Sequence, residues 1–270
     1  MKICIAGKGS CAIKCINFLL TIYQKKKICC IVSSKDKGKD TWDKSLLKFC
    51  KQKKIKVVNL SYVKKIKKII FFSIQYDKII NINSFKTDMF YNLHFSLLPK
   101  YRGVLTSINQ LLNNETISGC TIHKIDNGID TGKIISQRKI KIKKNITAKD
   151  LYFSLIDCGY KLFKNKILYI INNKPEGHKQ KKSVYFSKKK FKFPGPKIDY
   201  KLKANKVVKT INAYTFWPFQ GFLEENKKII KAIKTNIKTD KIEKTFYGKK
   251  NYFLKNTKDF KIKLFFNNIS

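Results

Sequence analysis

The chain has 270 residues, enough for a full core plus a small appendage. Its formal charge of +43 points first to a polyanion, yet of its 60 basic residues only Arg102 and Arg138 are arginines, the type that makes bidentate phosphate and base contacts. Lysine, asparagine, isoleucine and phenylalanine are abundant where alanine, glycine and proline are scarce, as A/T-rich codons dictate, so the charge by itself does not define a nucleic-acid surface.

In chain order, Lys2–Ala6 reads as a strand and Cys11–Tyr23 as a helix with Ala12, Ile13, Ile16, Leu19 and Leu20 on one face. Ile28–Val32 is a second strand. Asp40 can cap a helix over Trp42–Lys51, and Lys56–Leu60 and Ile69–Ser73 supply further strands. Tyr91–Leu98 is extended and ends at Pro99, before a loop at Gly103 and a helix near Ser107–Asn113. Gly119–Ile125 and Lys133–Ile142 are strands bracketing the tight loop DNGIDTG. Thr147, with Asp150 as capping partner, opens a long helix to about Asn172.

The alternation predicts an α/β fold: a Rossmann-like, mostly parallel sheet with helices on both faces. Lys188–Lys190 and the FPGP stretch from Phe193 read as a linker or domain edge. Val207–Thr215 reads as a short helix before the aromatic cluster Phe216, Trp217 and Phe219. From Gly221 small hairpins are expected. The expected division is a catalytic domain over 1–200 and a small C-terminal domain over 201–270.

No apolar run reaches the length of a membrane span, and Gly7 and Gly9 break the N-terminal run where a signal peptide would continue. The cytoplasm is the expected compartment, with no membrane partner. Eight cysteines show no two-residue spacing of the kind metal or redox motifs use, which predicts buried, reduced thiols and no metal site.

Gly7-Lys-Gly9-Ser-Cys-Ala12 follows a strand and opens a helix, like the start of a dinucleotide fingerprint. The acidic residue that would hold a nicotinamide ribose is missing from the end of the second strand, where Val32, Ser33 and Ser34 stand. The stronger signal is NLHFSLLPKYRG at Asn92–Gly103, paired with GCTIHKIDNGIDTGKII at Gly119–Ile135. Residues two apart on a strand share a face, so Asn92 and His94 point the same way. Asp130 sits in a glycine-bounded loop able to lean over that face. An amide, an imidazole and a carboxylate at strand ends suit acyl transfer.

These two stretches resemble the signature of the folate-dependent formyltransferases, whose catalytic asparagine, histidine and aspartate fall on Asn92, His94 and Asp130. HFSLLPKYRG followed by Leu105-Thr-Ser107, with SVYFSKKKFKF at Ser183–Phe193 and AYTFWPFQ at Ala213–Gln220, is most similar to the sugar-nucleotide N-formyltransferases. The resemblance spans roughly residues 1–220, and it departs at Phe95, where the family often has proline, and at Asn212, where an arginine is usual.

The resemblance implies the formyltransferase fold, 10-formyltetrahydrofolate as co-substrate and a dTDP-linked 3- or 4-amino-dideoxysugar as acceptor, feeding a surface glycan such as the O-antigen. It also implies a homodimer. On this reading Asn92 and His94 stabilise the oxyanion, His94 moves protons, and Asp130 orients His94. Gln75 and Tyr76, in the loop matching the family's folate-facing segment, and Asn127, Gly128 and Ile129 would border the folate. Lys8, Ser10 and Lys78 are candidates for the diphosphate and sugar, and Tyr185 or Trp217 for stacking on the base. His123 and His178 are assigned no role. The alternative is a methionyl-tRNA formyltransferase, with initiator tRNA as a nucleic-acid partner. The roughly 50 residues after Gly221 are short for that family's tRNA-binding barrel.

Overall fold

The computed structural model describes residues 1–181, 184–187, 191, 195–218, 220–224, 227–239, 244–246 and 251–267. Lys188–Lys190, Phe193 and Phe219, which the sequence assigns to a linker and an aromatic cluster, lie outside the described residues. The chain forms two compact units. The first gathers Met1–Gly103, Gly119–Ile140 and Leu155–Tyr185; the second gathers Val104–Ser118, Lys141–Ser154 and Phe186–Ser270.

The elements run β1 (Lys2–Gly7), α1 (Gly9–Ile22), β2 (Ile28–Val32), α2 (Leu46–Lys53), β3 (Lys56–Val57), α3 (Leu60–Lys64), β4 (Ile69–Ile74) and β5 (Phe90–His94). There follow β6 (Arg102–Gly103), α4 (Thr106–Leu112), β7 (Ile117–Lys124), β8 (Ile134–Lys141), α5 (Ala148–Asn173), β9 (Tyr185–Phe186) and α6 (Ala204–Tyr214). The last strands are β10 (Phe222–Glu224), β11 (Lys227–Lys238), β12 (Lys244–Phe246), β13 (Tyr252–Lys255) and β14 (Phe260–Asn267).

The first unit is built on a seven-stranded sheet ordered β3-β2-β1-β4-β5-β7-β8. Its first five strands pair in parallel and β5–β7 is antiparallel. Central strands buried on both faces read as continuous apolar runs, as ICIA and IIFF do. On one face Cys4, Ala6, Cys29, Ile31, Phe71 and Phe90 pack with Val63 of α3. On the other, Phe72 stacks on Tyr91 at 5.2 Å and meets Phe163 of α5 edge-on at 5.1 Å. Helices therefore cover both faces, as the alternation predicts.

Two local expectations shift. The helix expected over Trp42–Lys51 starts at Leu46, because Ser45 is the cap: its hydroxyl accepts from Lys48 N–H at 3.0 Å, while Asp40 accepts the Ser45 N–H at 2.9 Å. The strand expected over Lys56–Leu60 shrinks to two residues, because Asn59 caps α3 by accepting from Tyr62 N–H at 2.9 Å.

In the second unit the capping box expected at Thr147 is present: the Thr147 hydroxyl donates to Asp150 at 2.7 Å and Asp150 N–H donates back at 3.2 Å. The expected hairpins join into one antiparallel sheet, ordered β10-β11-β14-β13-β12, against which α6 packs Val207, Val208 and Ile211. Asn212, the departure from the family pattern, is buried there. Its amide donates to Ala232 O at 2.9 Å and accepts Ala232 N–H at 2.8 Å, so both backbone groups of a strand residue satisfy it in its buried position.

Candidate active site

Asn92 and His94 end β5, and the antiparallel register sets Asn92 opposite His123 and His94 opposite Thr121 on β7. The loop after β7 brings Asp130 over the same spot, with its backbone in the left-handed region at φ 55°. Gly132 makes that return possible, since a Cβ there would lie 1.8 Å from the carbonyl of Lys124. Asp130 Oδ2 accepts the Gly103 N–H at 2.8 Å and lies 3.4 Å from His94 Nδ1. The three predicted residues thus meet within one unit.

Proton positions follow from the partners. His123 Nδ1 is 2.7 Å from the carbonyl of Lys124, which can only accept, so Nδ1 carries a proton and Nε2 is the nitrogen left to face Asn92 and, at 3.4 Å, Asp130 Oδ1. That Nε2 is 3.1 Å from Asn92 Nδ2, whose other hydrogen goes to Asp130 Oδ1 at 3.1 Å. Turning the Asn92 amide round would aim its oxygen at a carboxylate and a lone pair. The amide is therefore fixed with both N–H bonds engaged and its oxygen the remaining group. Donation from Asn92 to a formyl oxygen requires that it first leave these partners; as held, it is an acceptor.

His94 is similarly constrained. Its Nε2 lies 2.9 Å from the carbonyl of Tyr101, so Nε2 is the protonated nitrogen and Nδ1 faces the carboxylate. Burial pushes the His94 imidazole below its ordinary value, against the upward pull of Asp130 and Tyr101. Burial also pushes Asp130 up, but the charge that His94 carries when protonated and the Gly103 N–H outweigh it and hold this carboxyl well below the usual range. The two shifts lean on opposite charge states of His94. Ionised Asp130 is the firmer of the two, since the Gly103 and Asn92 donors persist whatever charge His94 carries. A neutral His94 beside an ionised Asp130 is a general base in waiting: a proton gained at Nδ1 creates an imidazolium next to the carboxylate.

A model of the formyl transferase family matches residues 1–167. The chain belongs to this family. Two solved structures align with essentially its whole length. WlaRD, described as a sugar 3N-formyl transferase in the presence of dTDP and 5-N-formyl-THF, is 43% identical, covers 100% of this chain and 99% of its own, and superposes with a TM-score of 0.89. An N-formyltransferase from Helicobacter canadensis, in complex with folinic acid and dTDP-3-aminofucose, is 40% identical over 99% of this chain and 100% of its own, with a TM-score of 0.88. Among curated proteins, the bifunctional polymyxin resistance protein ArnA of Wigglesworthia glossinidia brevipalpis is 35% identical over 63% of this chain and 27% of its own length. A methionyl-tRNA formyltransferase of Clostridium tetani is 34% identical over 47% of this chain and 41% of its own. The chain thus spans less than half the length of either curated relative.

The remaining candidates have varied surroundings. Gln75 is left-handed at φ 58°, immediately after β4. The Tyr76 ring packs against the Cys4–Phe71 core, and burial pushes its hydroxyl up. Asn127, Gly128 and Ile129 are exposed in the loop before Asp130. Both the Ser10 hydroxyl and its N–H (3.0 Å) donate to Asp43, so a carboxylate already sits at the start of α1. Lys8 is half-buried, and burial together with Lys35 lowers its ammonium. Lys78 and Tyr185 are exposed. The Trp217 indole donates to Ile229 O at 2.8 Å and packs over Gly221, which gives it a structural partner in the second unit.

His123 is the residue the sequence passed over. On a strand buried along most of its length, a lone histidine looks like packing, and only the cross-strand register shows it facing Asn92. No helix among the described residues is long and apolar enough to cross a membrane.

Proposed function

We propose that this chain transfers the formyl group of 10-formyltetrahydrofolate to the amine of a dTDP-linked amino-dideoxysugar, with the amine at C3. What carries this reading is the full-length likeness, at 43% and 40% identity, to two proteins described with formyl-folates and dTDP ligands, one called a sugar 3N-formyl transferase and the other bound to a 3-amino sugar. The arrangement of Asn92, His94, His123 and Asp130 supports it chemically.

The amine nitrogen forms a bond to the formyl carbon and the bond from that carbon to the folate N10 breaks, leaving a formamide and tetrahydrofolate. The Asn92 oxygen accepts a hydrogen of the incoming amine and aims its lone pair. His94 Nδ1 takes the proton that the nitrogen sheds, Asp130 stabilises the resulting imidazolium, and that proton then goes to the departing N10. The imidazolium also offsets the negative charge on the formyl oxygen. Gln75, Tyr76 and the exposed 127–129 loop border the folate. Of the anion candidates, Lys8 and Lys78 suit the diphosphate better than Ser10, where a phosphate would meet the Asp43 carboxylate. A cytoplasmic homodimer is part of the proposal; light scattering behind size exclusion, giving a single chain mass, would remove the dimer.

The test is to incubate the protein with 10-formyltetrahydrofolate and either a dTDP-3-amino-3,6-dideoxyhexose or charged initiator tRNA. A formamide on the sugar is expected by mass spectrometry. Formylation of the tRNA alone would overturn the proposal.

A further inference from the structure

Gln180 lies beyond the span 1–167 matched by the family, and no sequence motif marks it. Its side-chain amide is nevertheless fully engaged. Nε2 donates to the carbonyls of Asp130 at 2.9 Å and Gly132 at 2.7 Å, and Oε1 accepts from Arg102 Nε at 3.2 Å and Nη2 at 3.1 Å. Arg102 Nη2 also reaches the carbonyl of Lys181 at 3.4 Å. The segment carrying Gln180 is itself tied down. His178 and Ile134 exchange backbone hydrogen bonds at 3.0 and 2.9 Å, and Glu176 takes Lys133 at 2.8 Å.

The consequence falls on Asp130. Gln180 grips its carbonyl and that of Gly132, which supports a non-glycine residue in a left-handed conformation. Gly103, the neighbour of Arg102, donates to its carboxylate. Residues 102–103 therefore act on Asp130 at both ends, through Gln180 at the backbone and directly at the side chain. Only a planar fork can make the paired contact to Gln180 Oε1. In a chain where all but two of 60 basic residues are lysine, position 102 has the arginine that this contact needs.

We propose that Arg102 and Gln180 form a clamp that positions Asp130 against His94, and that they are positioning residues for the formyl transfer. The kinetic part of this rests on the function proposed above.

The test compares Q180A, R102K and the double variant with the unaltered protein in three readouts: formyl transfer, thermal melting, and titration of the His94 ring by NMR, where three histidines keep the spectrum assignable. Each single variant should lower kcat about tenfold with KM for the sugar nucleotide unchanged, the scale of a slight misplacement at a reacting centre. The double variant should lose no more than the worse single one, since the two side chains act as one device. His94 should titrate at lower pH in Q180A, because the carboxylate that lifts its pKa is no longer held beside it. A lower melting temperature with an unchanged His94 titration and unchanged kcat would overturn the clamp, as would losses in the two variants that simply multiply. Should Q180A fail to fold, R102K keeps every backbone partner of Gln180 and decides by the same readouts. Should the unaltered protein form no formamide, the functional reading fails, while the His94 titration still decides the clamp.

Discussion

Two sets of buried groups in the first unit invite comparison. Cys4, Cys11, Cys15, Cys30 and Cys120 are each 0% exposed, and His94 and His123 are 7% and 2% exposed. Depth is nearly the same, and the outcome differs. Among the thiols, burial pushes Cys4, Cys15 and Cys120 well up, towards an inert, neutral state, and their polar contacts are weak: Cys120 Sγ lies 3.3 Å from Leu155 O. Around Asp130, His94 and the Gly103 N–H hold the carboxyl below its usual range in spite of burial, and Asn92 also donates to it. What separates the candidate site from the thiols is whether each buried charge has its donors in place.

The sharpest way to break that comparison is to remove the paired groups. H94A and D130A should each lower formyl transfer at least about 100-fold, the scale of general acid–base contributions. A turnover within a few-fold of the unaltered protein in either variant would take that residue out of the mechanism.

Acidity tests the pairing itself. His94 lies below its ordinary value and works as a base when neutral, so the acid limb of kcat, which reports the bound complex, should lie below the ordinary histidine range. D130N should move that acid limb lower still, because the carboxylate raises His94. Asp130 has a depressed pKa, so its contribution to stability is complete above the unfolded value of about 3.9 and is lost as pH falls through the folded one. Melting temperatures of the unaltered protein and D130N should therefore converge in acid. An acid limb of kcat above the ordinary histidine range would contradict the neutral resting state.

A smaller effect belongs to His123. Replacing it in H123A leaves one Asn92 N–H without its acceptor and frees the amide to turn, which should cost about 1 kcal/mol, roughly fivefold in kcat, with KM for the folate unchanged. An unchanged kcat would show that Asn92 is held by Asp130 alone.

These residues also mark what the sequence could and could not reveal. Asn92, His94 and Asp130 were legible because two strand ends and a glycine-bounded loop sit in recognisable stretches. β1, β2 and β4 were legible because buried parallel strands are uninterrupted apolar runs. His123 was not, since its partner across the sheet is set by register rather than by anything in its own neighbourhood. Gln180 was hidden for the same reason: its partners lie 48, 50 and 78 positions away. The false start at Trp42 came from competing carboxylates. Asp40 serves Ser45 and Lys48 while Asp43 turns to Ser10, so neither begins the helix.

The smallest expected effect comes from the thiols and completes the comparison from the other side. Cys120 is on β7, three residues before His123, and its thiol donates to the Leu155 carbonyl of α5 at 3.3 Å. If burial without firm pairing makes a group inert, C120A should leave formyl transfer within about twofold and lower stability by only about 1 kcal/mol, an ordinary loss for a small buried group. A maleimide should label the folded protein slowly and all eight cysteines once it is unfolded in denaturant. A loss of rate in C120A comparable to that in H94A would mean that the sulfur, too, has a part in the reaction, and the distinction between the buried thiols and the paired groups around Asp130 would fail.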